Sequence, residues 1–97
     1  GYAILNKCYN SCEQGLLTCK GFTEASFLLC RNSADLNYQT CREDAYACDP
    51  DLYESCTKTK LVSCFNSWKE SLSSCENNVE TALHQCSANL LSCTKSC

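Results

Sequence analysis

The sequence predicts an all-α, disulfide-rich fold in which two long helices form an antiparallel hairpin with a disulfide ladder. Two observations predict it. Twelve of the 97 residues are cysteines, a proportion typical of disulfide scaffolds, and their even number allows full pairing. The second observation is their spacing, which follows the turns of an α-helix.

The cysteines are separated by steps of 4, 7, 11, 11, 7, 8, 8, 11, 11, 7 and 4 residues. Eleven residues make three helical turns and seven make nearly two, so the sulfur atoms fall along one stripe of a helix. Apolar residues such as Trp68 and Leu72 fill the gaps in that stripe. The pattern indicates two amphipathic helices, with kinks expected at Gly21 and at the Asn-Ser sites.

The main turn is predicted at Asp49-Pro50-Asp51. Aspartate is a good N-cap, proline suits the first helical turn, and the residue before proline disfavours helix. These three residues therefore end one helix and begin the next.

Two symmetries organise the cysteines within one predicted domain, residues 1–97. Steps of 7, 11, 11, 7 recur as 8, 11, 11, 7, which indicates internal repeats at about 11–48 and 55–93. The whole series is also nearly a mirror image about the turn, so antiparallel helices bring each cysteine opposite a partner. The predicted pairs are Cys8–Cys97, Cys12–Cys93, Cys19–Cys86, Cys30–Cys75, Cys41–Cys64 and Cys48–Cys56. The weakest is Cys41–Cys64, because a step of seven faces a step of eight and one residue rotates a helical side chain by about 100°.

The alternative architecture is a compact bundle of about six short helices in two repeats. Lys20-Gly21, Asn32-Ser33, Asn66-Ser67 and Asn77-Asn78 are its candidate turns. The hairpin is favoured because a turn need not preserve the helical phase of the stripe.

The outer cysteines Cys8, Cys12, Cys93 and Cys97 form two facing C-x3-C motifs. This spacing resembles the cross-linked helical hairpins of plant defence peptides, of some scorpion toxins and of the mitochondrial intermembrane space. The Cys30-x10-Cys41 spacing is similar to the central spacing of saposins, whose flanking paired cysteines are missing here. Each resemblance covers only these few residues.

Several classes of function are disfavoured. His84 is the only histidine and no nucleophile can be assigned to it, so no catalytic residue and no enzyme activity is predicted. There is no C-x2-C motif and no glycine-rich phosphate loop, so no metal and no cofactor is expected.

A net charge of -3 argues against nucleic acid as a partner, and no apolar run approaches the roughly 20 residues that membrane insertion needs. The acidic residues near the turn are interpreted as helix-capping groups, and the alternatives are a calcium site and a binding patch for a basic partner.

Cysteine usage predicts a secreted, extracellular protein. We expect a non-enzymatic ligand, a toxin or pheromone-like signal, that binds a protein receptor or ion channel. Tyr2, Tyr9, Tyr46 and Tyr53 lie off the cysteine stripe and are the candidate contact residues, whereas Trp68 is expected to pack in the core. The alternatives are an extracellular structural or host-interaction protein and an antifreeze-like surface, since Ser and Thr recur at helical spacing.

Overall fold

The computed structural model describes all 97 residues, and nearly all of them are helical. Helix α1 runs from Tyr2 to Tyr46 and helix α2 from Lys58 to Ser96. A 3-10 turn, Pro50–Leu52, and a π-helical segment, Tyr53–Thr57, connect them. No strand is present, which confirms the all-α prediction.

The alternative of six short helices is wrong, because neither long helix stops at the candidate turns. Helix α1 continues through Gly21 and Asn32, and α2 continues through Asn66 and Asn77. No glycine has a positive φ, so Gly21 does not adopt the left-handed conformation that ends helices. An uninterrupted buried stripe outweighs local turn propensity, because packing supplies most of the stability of a helix.

The connection follows the predicted turn. The Asp49 carboxylate accepts a hydrogen bond from the Asp51 N–H at 3.0 Å, and the Asp49 carbonyl accepts one from the Leu52 N–H at 2.9 Å. Pro50 occupies the first helical position, where its missing N–H costs nothing. Asp49 is therefore the cap that the sequence indicates.

The π-helical segment accounts for the one-residue mismatch at Cys41–Cys64. The steps that surround Cys56 are eight residues long, and the facing step from Cys41 to Cys48 is seven. A π-turn closes i→i+5 hydrogen bonds and so takes in one residue more than an α-turn. Because Tyr53–Thr57 absorbs the extra residue, Cys64 returns to phase with Cys41, and their Cα atoms lie 5.7 Å apart.

All twelve cysteines are paired, and none is free. The Cα–Cα distances of the six pairs lie between 5.7 and 6.1 Å, within the range that disulfides require. The pairs in the structure are those that the mirrored spacing predicts: Cys8–Cys97, Cys12–Cys93, Cys19–Cys86, Cys30–Cys75, Cys41–Cys64 and Cys48–Cys56.

The chain divides into two compact units. Unit 1 comprises residues 1–27 and 77–97, and unit 2 comprises residues 28–76. Three disulfides lie within each unit, and in each they join a segment of α1 to an antiparallel segment of α2. Each unit contains residues from both predicted repeats, and the duplication itself stays a prediction about the sequence.

Residues eleven apart supply most of the buried side chains. In unit 1 these are Cys12, Thr23 and Cys86; in unit 2 they are Ala34, Ala45, Cys64 and Cys75. The buried apolar residues of the protein are thus four half-cystines and two alanines, and Thr57 is the other buried polar residue. Such a core offers little hydrophobic area, so the covalent bonds carry much of the stability.

The buried Thr23 shows how a polar group is accommodated in this core. Its hydroxyl donates to the Cys19 carbonyl oxygen at 2.9 Å, and its oxygen lies 3.7 Å from Cys86 Sγ. The bond to the preceding turn satisfies the hydroxyl without a partner on α2.

Neither long helix contains a stretch apolar enough to cross a membrane.

Candidate functional site: an aromatic cluster in unit 2

Unit 2 contains a cluster of three aromatic rings, which we call the aromatic cluster: Tyr38 from α1 with Phe65 and Trp68 from α2. The Tyr38 and Trp68 ring centroids are 5.0 Å apart, with an angle of 49° between the planes. Phe65 and Trp68 lie at 5.9 Å and 43°. Tilted rings at these separations attract each other through their quadrupoles as well as by burial.

A hydrogen bond across the two helices fixes the indole ring. Trp68 Nε1 donates to Asp35 Oδ1 at 2.9 Å. Asp35 lies three residues before Tyr38 on α1, so both side chains project from one face of that helix towards Trp68. The bond selects one orientation of the indole and satisfies its only polar atom.

Two cations flank the rings. Arg42 Cζ lies 5.5 Å from the centre of the Tyr38 ring, and Lys69 Nζ lies 5.7 Å from that of Phe65. Each cation follows its ring by four residues, the spacing at which helical neighbours meet, and each distance allows a cation–π contact. Neither cation pairs with a carboxylate, since the two ion pairs of the structure are Lys58–Glu54 and Lys60–Asp44.

Disulfides hold the aromatic cluster from both sides. Tyr38 lies three residues before Cys41, and Trp68 lies four residues after Cys64, which is the partner of Cys41. The next pair, Cys30–Cys75, closes the other side. Because both helical segments are fixed covalently on either side of the rings, the ring separations need little adjustment when a partner binds.

The aromatic cluster remains open to solvent. Phe65 is 44% exposed, and Tyr38 and Trp68 are half-buried. It offers apolar ring surface and two cations free of carboxylates, in a protein whose net charge is -3. This arrangement suits noncovalent contact with another protein, because tryptophan, tyrosine and arginine are the residues most enriched at binding hot spots.

The four tyrosines predicted as contact residues are all exposed but do not join the aromatic cluster. Tyr2 and Tyr9 lie in unit 1, at 85% and 40% exposure, and Tyr46 and Tyr53 lie in unit 2, at 60% and 52%. No tyrosine of the four is stacked on another ring. Their role in binding stays a prediction.

The sequence interpretation of Trp68 was incomplete. Its position on the cysteine stripe indicates packing, and Trp68 does pack against α1, yet the indole stays half-buried at the surface. A signal for the site is present in the sequence. Two aromatic residues are each followed four residues later by a cation: Tyr38 by Arg42, and Phe65 by Lys69. The second pair lies beside Trp68, which is on the cysteine stripe.

Three of the acidic residues near the turn have partners of their own. Asp49 caps the 3-10 turn, Glu54 pairs with Lys58 at 3.3 Å, and Asp44 pairs with Lys60 at 3.3 Å. These contacts agree with the interpretation of the acidic residues as capping and surface groups.

No protein-family model, curated protein or solved structure matches this chain.

Proposed function

We propose that this protein is a secreted, non-enzymatic ligand that binds a membrane receptor or ion channel through the aromatic cluster of unit 2. The observation that carries the proposal is a partly exposed group of rings and unpaired cations, supported by disulfides on both sides. Secretion is supported by the six disulfides, which persist in oxidising compartments.

The rigidity of unit 2 supports a binding role. Association costs the entropy of every side chain and segment that becomes ordered. In the aromatic cluster that ordering exists before binding, because Asp35 orients Trp68 and the pairs Cys41–Cys64 and Cys30–Cys75 fix the helices.

The charges of the aromatic cluster indicate what kind of receptor surface is complementary to it. Arg42 and Lys69 lie over rings without a carboxylate partner, so a partner that places carboxylates beside apolar side chains gains both charge complementarity and buried area. We therefore expect an acidic, partly apolar extracellular surface as the epitope.

Binding of the fluorescently labelled, oxidised protein to cells that display individual receptors and ion channels tests the proposal, with current recordings for each channel bound. Trp68→Ala removes the central ring of the aromatic cluster. The double variant Arg42→Gln with Lys69→Gln removes the two cations. We expect each to weaken binding by at least about tenfold, the usual effect of truncating a hot-spot residue.

Matched controls lie in unit 1. Phe22→Ala removes an aromatic side chain that is 73% exposed, and Lys20→Gln removes a cation that pairs with no carboxylate. Both should leave binding unchanged. Equal loss of binding affinity in the unit 1 and unit 2 variants, or binding that does not depend on the aromatic cluster, would contradict the proposal. Either result would favour an extracellular structural or host-interaction role.

A further inference from the structure

Two disulfides of unit 1 lie in direct contact with each other. The pairs Cys8–Cys97 and Cys12–Cys93 are separated by four residues in both halves of the sequence, whereas all other neighbouring pairs are at least seven residues apart. Cys12 Sγ and Cys97 Sγ, which belong to different disulfides, are 3.8 Å apart. Both atoms are bonded to sulfur and carry no proton, so this is a van der Waals approach rather than a hydrogen bond.

Three sulfur atoms gather at this place. The Sγ atoms of Cys8, Cys12 and Cys97 all lie within 4.8 Å of one another. Cys12 is 3% exposed, Cys8 and Cys97 are half-buried, and Cys93 is exposed. A buried sulfur thus lies next to one that solvent reaches, which is the arrangement that lets a reaction at the surface pass inward.

We infer that these two disulfides form a thiol–disulfide exchange site for a low-molecular-weight thiol, through a new bond between Cys12 and Cys97. The external thiol first loses a proton to solvent, and its thiolate attacks Cys8 Sγ. The Cys8–Cys97 bond breaks, Cys8 is left in a mixed disulfide, and the electron pair leaves on Cys97 as a thiolate.

The second step is internal. The Cys97 thiolate attacks Cys12 Sγ, 3.8 Å away in the resting protein, so the Cys12–Cys93 bond breaks and a Cys12–Cys97 bond forms. Cys93 leaves as a thiolate and takes a proton from solvent. Attack on Cys93 instead leads to the same Cys12–Cys97 bond: the displaced Cys12 thiolate attacks Cys97 and releases Cys8. In both routes two protein disulfides and one external thiol enter, and one mixed disulfide, the new Cys12–Cys97 disulfide and one free protein thiol result.

The structure gives the internal step an advantage over further attack from solution. A thiolate held beside its target acts at high effective concentration, and Cys97 follows the last residue of α2, Ser96, where a side chain can shift without breaking helical hydrogen bonds. The released thiolate at exposed Cys93 can then attack a disulfide of another protein, which forms a mixed disulfide with Cys93 and releases one thiol of that protein. This site is independent of the aromatic cluster and of the proposed receptor.

The test treats the oxidised protein with reduced glutathione at mildly alkaline pH, quenches it with iodoacetamide, and maps the nonreduced chain by mass spectrometry. Cleavage after Tyr9 separates Cys8 from Cys12, and cleavage after Lys95 separates Cys93 from Cys97. We expect a linked Cys12–Cys97 peptide, with glutathione and the alkyl label divided between Cys8 and Cys93.

Two comparisons make the result decisive. Cys19 and Cys86, a single pair without a sulfur neighbour, should carry no label under the same conditions. The double variant Cys8→Ser with Cys97→Ser removes the attacking sulfur, so alkylation of Cys93 by iodoacetamide should fall. Modification confined to Cys8 and Cys97 with Cys12–Cys93 intact, or unchanged alkylation of Cys93 in the double variant, overturns the inference.

Discussion

Units 1 and 2 are built on the same covalent plan but differ in what lies between the disulfides. Each has three cysteine pairs and buries small residues at eleven-residue intervals. In unit 2 the space beside the disulfides holds Tyr38 and Trp68, whose rings are in contact. In unit 1 the place equivalent to Tyr38 holds Phe27, and the places equivalent to Trp68 hold the half-buried aliphatic residues Val79 and Leu90. The ladder therefore sets the fold, and the side chains between its rungs give each unit its own surface.

The spacing of the disulfides differs as well. Unit 1 has two pairs one helical turn apart, so their sulfur atoms touch. Neighbouring pairs of unit 2 are seven or more residues apart in the sequence, and no sulfur cluster forms there. The same bond is thus a structural link in one setting and a reactive group in another.

Complete reduction is expected to have the largest effect and would show whether both units depend on the ladder. The buried apolar residues are four half-cystines and two alanines, so little hydrophobic area remains once the bonds are gone. We expect the helical far-UV circular dichroism signal to fall by more than half in excess reductant. Full retention of that signal would mean that the helices are stable without the disulfides.

Removing one internal pair from each unit compares their dependence directly. We expect Cys19→Ser with Cys86→Ser, in unit 1, to lower the free energy of unfolding by about 2–4 kcal/mol, because a cross-link constrains the unfolded chain. Cys30→Ser with Cys75→Ser should cost less, since the aromatic cluster still joins the helices of unit 2. Guanidinium unfolding of the two oxidised variants measures the difference, and a larger loss in unit 2 would contradict it.

Truncation of the side chains between the disulfides isolates the aromatic contribution. Trp68→Ala removes two ring contacts and the hydrogen bond to Asp35, and we expect it to cost about 2–3 kcal/mol, below the range for a fully buried tryptophan. Leu90→Ala in unit 1 should cost about 1–2 kcal/mol. The measurement is the thermal unfolding midpoint of each variant, and equal shifts would show that the rings add nothing beyond apolar burial.

The smallest effects are expected at the two ion pairs of unit 2. Lys58 and Lys60 are about half exposed, and exposed pairs contribute about 0–1 kcal/mol because water and salt screen them. Lys58→Gln and Lys60→Gln should therefore shift the unfolding midpoint little, and less still in high salt. A loss as large as that of Trp68→Ala would make the ion pairs, rather than the rings, the distinguishing feature of unit 2.

Much of this architecture can be predicted from the cysteine spacing, because whole helical turns keep every sulfur on one face. The helical period of that spacing predicts helices without strands, and the residue preferences of Asp49 and Pro50 place the cap. The π-helical segment Tyr53–Thr57 is harder to anticipate: the extra residue before Cys64 shows as a mismatch, but only packing of the two helices shows how it is absorbed.

The candidate site was predicted only in part, for a physical reason. Periodicity gives the face of a helix on which Trp68 lies, but not how far a large ring projects beyond a narrow interface between helices. The relation of Trp68 to Asp35 and Tyr38 depends on the alignment of α1 with α2. That alignment follows from the disulfide pairing, so the pairing is the central claim on which the site depends.

One cleavage tests directly whether the disulfides join the two halves of the chain, which the ladder requires. Every one of the six disulfides joins a residue before Pro50 to a residue after it, and the bond between Asp49 and Pro50 can be cut by mild acid, where disulfides do not exchange. After cleavage without reductant, the intact mass should rise by one water and the two fragments should stay together. They should separate only when a reductant is added. Separation into residues 1–49 and 50–97 without reductant would contradict the ladder and the site built on it.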